Sequence, residues 1–144
     1  MTKPGFSHDL KAQFSWALFD FANSSFPTVV TTFVFAAYFT QTIAPDTEIG
    51  TALWGTAVGI AGFLVAVTSP IAGAIADRTG RQKRWLASFT LLCIIATAML
   101  WFATPTEASI PLSMIAVVIA TMAFEVSLVF YNALLPTLTS PERL

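Results

Sequence analysis

Long uncharged segments alternate with short polar ones along the whole chain. Three of them contain no Asp, Glu, Lys or Arg: 25 residues at 21–45, 28 residues at 49–76 and 22 residues at 85–106. A fourth segment, 108–141, contains Glu125 as its single charge. About 20 apolar residues are enough for a helix to cross a bilayer, and a backbone in hydrocarbon must satisfy its own hydrogen bonds. The pattern therefore predicts four membrane-spanning helices.

These helices are expected to form one all-α, polytopic membrane domain over residues 1–144. Their approximate bounds follow from the polar connections between them, and they are 14–42, 50–76, 85–103 and 110–138. None of the four segments is followed by the small-residue cleavage pattern of a signal peptide. All four helices are therefore expected in the mature protein.

The basic residues all fall on one side of the predicted bundle. Seven Lys and Arg residues lie in the N-terminal tail, in the connection after the second helix and at the C-terminal end. The other two connections, 43–49 and 104–109, contain three acidic residues and no basic ones. Because basic connections remain in the cytoplasm, the asymmetry predicts that both termini are cytoplasmic.

The composition excludes several functional classes. Hydrophobic residues make up 56% of the chain and charged residues 10%, which leaves too few polar side chains to cover a water-soluble globule. A net charge of −1 gives no bulk attraction to nucleic acid. One His and one Cys exclude a metal cluster built from several such ligands. We therefore expect that the chain is not an enzyme and that it binds no metal, cofactor or nucleic acid.

Small residues in the second helix predict a close helix partner. Gly55, Gly59, Gly62, Ala66 and Gly73 recur on or near one face at helical spacing. Residues of this size let the backbone of a neighbouring helix approach closely within a membrane. We interpret the stripe as a packing surface, with ligand binding as the alternative.

The connection after the second helix contains the most specific motif in the chain. Its sequence, GAIADRTGRQKR at 73–84, resembles the loop between the second and third helices of major facilitator superfamily transporters, Gly-x-Leu-Ala-Asp-Arg-x-Gly-Arg-Arg. Six residues match that pattern: Gly73, Ala76, Asp77, Arg78, Gly80 and Arg81. Ile75 and Gln82 depart from it. The motif also lies in the family's position, between spans two and three.

The resemblance implies that this loop is a cytoplasmic latch between two halves of a transporter that rock against each other. The expected latch residues are Gly73, Asp77, Arg78, Gly80 and Arg81. Independently of the family, Gly80 permits the positive φ of a tight reversal. The carboxylate of Asp77 is suited to accept from the free N–H groups at another helix's N-terminus. The alternative is a basic loop that only sets topology.

Two further regions resemble one branch of the superfamily, the autophagy-related vacuolar amino-acid effluxers and their bacterial relatives. They are SWALFDFANSSF at 15–26 followed by VFAAYF at 34–39, and FYNALLP at 130–136. The resemblance implies a proton-coupled secondary transporter of a small polar solute, with amino-acid efflux as a candidate activity, in a bacterial cell membrane rather than a vacuolar one. Because the superfamily has two six-helix halves, the chain is expected to be an N-terminal fragment with four helices of the first half.

Polar residues inside the first and fourth helices predict the solute site. Asp20, Asn23 and Ser24 share a face of the first helix by spacing, as do Glu125 and Asn132 in the fourth. A charge at the centre of a membrane helix costs at least about 2.5 kcal/mol on insertion scales, so these groups are expected to face a cavity or a partner. The resemblance implies that the first and fourth helices line the central cavity. Glu125 lies deeper, and we expect it to exchange protons.

Two alternatives remain open from the sequence. Asp20 can be interfacial, with Glu125 bonded only to a neighbouring helix. The chain can also be a non-transporting four-helix membrane protein, an assembly factor or regulatory partner that docks through 77–84. In the transporter interpretation the partners are the lipid bilayer, the remainder of the same protein, the solute and protons.

Overall fold

The computed structural model describes residue 14 and residues 17–134, apart from the side chains of residues 76, 77 and 79. Within this part the chain forms four helices long and apolar enough to cross a membrane, which confirms the predicted all-α class. We label them α1 (Ala17–Ile43), α2 (Thr47–Thr79), α3 (Gln82–Phe102) and α4 (Glu107–Ala133).

Helix α2 extends beyond its predicted bounds at both ends, and a cap explains each extension. The side chain of Asp46 accepts a hydrogen bond from the N–H of Ile49 at 2.8 Å, which pairs one of the free donors of the first turn. At the other end Gly80 adopts the left-handed conformation with φ 59°, which ends the helix. The tight reversal predicted at Gly80 is confirmed, and the first half of the loop motif is helical.

Helix α1 is irregular over most of its length. A π-helical segment, Pro27–Phe33, is followed by an α-helical turn, Val34–Tyr38, and by a second π-helical segment, Phe39–Ile43. Proline has no N–H to donate to the preceding turn. The hydroxyl groups of Thr28 and Thr31 donate to carbonyl oxygens four residues earlier, at 3.1 and 2.8 Å. Apolar length predicts a spanning helix but does not distinguish these two kinds of turn.

Helix α4 lies at the centre of the bundle, and α2 and α3 pack along it. Ala72 of α2 clusters with the buried side chains of Val126 and Phe130. Ala57 and Ala61 of α2 are fully buried as well. Because these alanines leave room for the neighbouring backbone, they form the packing face of α2 within the described part of the chain.

The predicted glycine stripe lies on a different face of α2. A Cβ atom added at Gly55, Gly59, Gly62 or Gly73 would meet nothing within 4 Å among the residues described. None of the described helices is therefore the close partner that this stripe predicts. The close approach occurs instead at Gly50, where an added Cβ would lie 2.8 Å from the Cβ of Ala44 at the end of α1.

Two aromatic pairs fix the register of α1 against α4. Phe19 stacks on Tyr131 with ring centroids 5.1 Å apart, and Phe26 stacks on Phe124 at 5.0 Å. Phe26 follows Phe19 by seven residues in α1, and its partner Phe124 precedes Tyr131 by seven residues in α4. The two helices are antiparallel, and this register sets the depth of every polar residue that they carry.

Candidate functional site

The predicted solute-site residues lie at two levels of the bundle. The Phe19–Tyr131 stack places Asp20 and Asn132, their neighbours in sequence, at one level. By the same register Glu125 lies opposite residue 25, about five residues or roughly 7 Å further from the end that carries the Gly80 turn, at 1.5 Å per residue.

Asp20 is exposed at the contact between α1 and α4. Phe19, the residue before it, stacks on Tyr131 of α4. Tyr131 itself is 3% exposed and is held by the stack with Phe19. Phe19 therefore holds this part of α1 against a buried ring of α4.

Glu125 projects away from the packed core. Its sequence neighbours Phe124 and Val126 are 7% and 1% exposed, whereas Glu125 is exposed. Asn132, seven residues later and so on the same face, is also exposed. We call this surface the open face of α4; it consists of Pro111, Ile115, Glu125 and Asn132. No described helix covers it, although α4 is the most buried of the four spans.

The two remaining candidates of α1 point in different directions. Asn23 is half-buried and lines a cleft between α1 and α3 with a volume of about 910 Å³. Ser24 is exposed, and its hydroxyl donates to the carbonyl oxygen of Phe21 at 2.7 Å. The cleft lining contains neither Asp20 nor Ser24, so the structure does not bring Asn23 together with the other candidates.

The predicted latch residues lie at the end of α2. Gly73 is half-buried within the helix, and Arg78, Gly80 and Arg81 are exposed. The backbone of Asp77 belongs to α2, but its side chain lies outside the described part, so the predicted acceptor role of its carboxylate lies outside it too. The exposed arginines make this end of the bundle strongly basic.

Sequence reasoning missed Tyr131 and the polar lining of the cleft. Thr90, Cys93 and Thr97 of α3 all line the cleft. Their spacing of three and four residues is the signal that could have found them, because it places them on one helix face. Among the described residues no group of three His, Cys, Asp or Glu side chains could hold a metal ion.

Comparison with known proteins places the chain in a family. A family profile described as the Major Facilitator Superfamily matches residues 4–144. The chain is also 34% identical over 137 residues to the uncharacterized MFS-type transporter YxiO of Bacillus subtilis (strain 168). That similarity covers 93% of this chain and 32% of YxiO, so the chain spans about a third of the length of this curated relative. No solved structure matches the chain.

Proposed function

The chain belongs to the major facilitator superfamily, which is generally non-enzymatic, and on that premise we propose that it forms part of a secondary transporter for a small polar solute. Transporters of this kind bind their solute near the middle of the membrane, between two halves that rock against each other. The observation that carries the proposal is the open face of α4, where Glu125 and Asn132 are exposed on the most buried of the four helices.

The position of Glu125 argues for a water-filled cavity beside α4. It lies eight residues from the end of α4 at Ala133, about 12 Å at 1.5 Å per residue. A carboxylate at such a depth is expensive against lipid, and in membrane proteins these groups face a cavity or a partner. We assign proton exchange to Glu125, because it is the acidic residue furthest inside the open face.

Asp20, Ser24 and Asn132 are assigned to the solute. Asp20 and Asn132 lie at one level, nearer than Glu125 to the Gly80 end of the bundle. A carboxylate and an amide at one level offer acceptors and donors that suit a zwitterionic amino acid. An amino acid is therefore the first solute to test, with efflux as the proposed direction.

The proposed orientation has both termini in the cytoplasm of a bacterial cell. It is supported by exposed basic residues at the turn that joins α2 to α3 and in the adjoining helix ends, which are Arg78, Arg81, Lys83 and Arg84. YxiO, to which the chain is similar, is a bacterial protein. The same loop is proposed to act as the latch between the two halves of the full-length transporter.

The test is transport by the full-length protein in reconstituted vesicles. A panel of labelled amino acids is offered with and without a pH difference across the membrane. We expect uphill accumulation of at least one solute that depends on the pH difference. Glu125→Gln is expected to abolish this accumulation and to retain solute exchange, because glutamine keeps the shape of the side chain and loses its titration.

Glu107→Gln is the matched control, since Glu107 is also an exposed acid of α4 but lies at the opposite end of the helix. It is expected to transport as the parent does. Uphill, pH-dependent transport that persists in Glu125→Gln would show that Glu125 is a structural residue and not the proton site.

A further inference from the structure

One side of α3 is exposed along most of its length, and none of the described helices covers it. Four exposed residues recur on this side at intervals of three or four residues, and they are Arg84, Ser88, Leu91 and Ile95. The hydroxyl group of Ser88 donates to the carbonyl oxygen of Arg84 at 3.0 Å, so it is paired within the helix. We call these four residues the outer stripe of α3. The stripe is thus a lipid-compatible surface with an arginine at one end.

Two tryptophans show where α3 meets the boundaries of the membrane. Trp85 lies at the Gly80 end of the helix and stacks on Phe130 of α4, with ring centroids 6.0 Å apart. Trp101 lies at the other end and is 88% exposed. Sixteen residues of helix correspond to about 24 Å at 1.5 Å per residue. The hydrocarbon core is about 30 Å thick, and tryptophan is enriched at both of its interfaces. Arg84, next to Trp85, therefore lies at the level of the lipid headgroups.

The Gly80 end of the bundle carries an excess of positive charge. Residues 76–90 contain four basic residues and one acidic residue, Asp77, which gives a net charge of +3. The N–H of Arg84 donates to the carbonyl oxygen of Arg81 at 3.0 Å, so the two arginines lie one turn apart on the same side. A guanidinium group can bind two phosphate oxygens at once. The complementary ligand for this surface is a phosphate group attached to an apolar chain.

We propose that the outer stripe of α3 binds an anionic phospholipid, with its phosphate held by Arg84 beside Arg81 and an acyl chain lying along Leu91 and Ile95. A headgroup with a net negative charge is preferred, because the ammonium group of a zwitterionic headgroup would add another cation to a surface that is already basic. The inference goes beyond the proposed transport, since it concerns the surrounding lipid and gives that lipid no part in the transport cycle.

A second copy of the chain fits the outer stripe less well. Two copies that met symmetrically through this face in one membrane would place Arg84 of one beside Arg84 of the other, and like charges repel. A soluble acidic partner would match the arginines but could not reach Leu91 and Ile95, which lie at the depth of the hydrocarbon core. A phospholipid supplies both the charge and the apolar chain.

Photo-cross-linking in the full-length protein identifies what lies on the outer stripe. The vesicles contain equal amounts of phosphatidylethanolamine and phosphatidylglycerol with the same acyl chains. A benzophenone amino acid replaces Ser88, one turn inside the membrane from Arg84, or the control residue Trp101 at the opposite end. The probe at residue 88 is expected to join phosphatidylglycerol several-fold more often than phosphatidylethanolamine, and the probe at residue 101 to join both equally. Equal adducts at residue 88, or a cross-link to polypeptide there, would overturn the proposal.

Two neighbouring substitutions distinguish a binding site from a general attraction between charges. Arg84→Gln removes a positive charge from the outer stripe. Lys83→Gln removes the same charge one residue away, on the side of α3 that lines a pocket with Phe19 of α1. Arg84→Gln is expected to abolish the preference for phosphatidylglycerol at residue 88, and Lys83→Gln to retain most of it. Equal losses would show that only the total charge of this end attracts the lipid.

The lipid retained in detergent provides a measurement without the benzophenone group. Native mass spectrometry of the full-length protein, purified from the same vesicles, gives the fraction of molecules that carry phosphatidylglycerol. This fraction is expected to be several-fold lower for Arg84→Gln than for Lys83→Gln or the parent. Equal fractions in all three would overturn the proposal. Because neither measurement uses transport, its outcome is independent of the proposed activity.

Discussion

Gly50 shows how a single missing Cβ atom determines where two helices meet. An added Cβ there would lie 2.9 Å from both the Cα atom and the carbonyl oxygen of Thr40, and 2.8 Å from the Cβ of Ala44. Two of these three atoms are backbone, which cannot turn aside as a flexible side chain could. The start of α2 can therefore contact the second π-helical segment of α1 only with glycine at this position.

We expect Gly50→Ala to destabilise the protein by about 1–3 kcal/mol, the usual cost of overpacking a close contact. The measurement is the thermal unfolding midpoint of the full-length protein in detergent. Thr51→Ala is the control, because Thr51 is the next residue, is exposed, and adds no atom when shortened. Equal midpoints for Gly50→Ala and the parent would show that the contact between α1 and α2 at Gly50 can open without loss of stability.

The residue scale also shows why Asn23 could not be placed from the sequence. Spacing puts it on one face of α1 with Asp20 and Ser24, and that face is wide enough to meet two different neighbours. In the structure Asn23 lines the cleft beside α3, whereas Asp20 and Ser24 are exposed outside that cleft. Helical spacing specifies neighbours on one helix, but the packing of the other helices decides what each residue faces.

At the scale of elements, the turn between α2 and α3 combines a rigid reversal with an exposed basic surface. Gly80 supplies the reversal, and Arg78 and Arg81 on either side of it are exposed. A turn fixed by backbone geometry keeps its charges in place when the helices move. That property is what the proposed latch requires.

Asp77→Asn in the full-length protein is expected to slow transport several-fold while leaving expression and thermal stability near those of the parent. The reason is that the carboxylate is proposed to be needed in only one conformational state, so its loss impairs cycling more than folding. Initial rates of solute uptake into vesicles provide the measurement. Arg84→Gln serves as the control, since it changes a charge at an exposed position outside the matched motif. If Asp77→Asn transports at the parent rate, the loop only sets topology.

At the scale of the whole molecule, the proposed orientation can be tested with single cysteines in a Cys93→Ala background. Gln82→Cys lies at the basic end of the bundle and Ala108→Cys at the opposite end, next to the acidic Glu107. A membrane-impermeant maleimide added to intact cells is expected to label residue 108 at once and residue 82 only after permeabilisation. The reverse order would contradict the orientation.

The four spanning helices of the described part were predictable, because spanning depends on apolar length, whereas the π-helical turns of α1 were not. The end of α2 was partly predictable, since Gly80 has a conformational freedom that other residues lack. The packing face of α2 was not predictable in the same way. Ala57 and Ala61 are buried while Gly55 and Gly59 face open space, and both pairs are small residues at equal spacing. Only the three-dimensional arrangement distinguishes which stripe meets α4.

The π-helical segment Pro27–Phe33 has a further consequence for how this protein tolerates change in length. After the deletion of one residue from this segment, α1 would still be long and apolar enough to span the membrane. Each residue turns an α-helix by about 100°. The deletion would therefore rotate one half of α1 about the helix axis relative to the other half. Either Phe19 and Phe26 would leave their partners on α4, or Phe39 would leave Trp54, whose ring centroid lies 5.4 Å away. The number of residues in α1 therefore determines the direction in which Asp20 points around the helix axis.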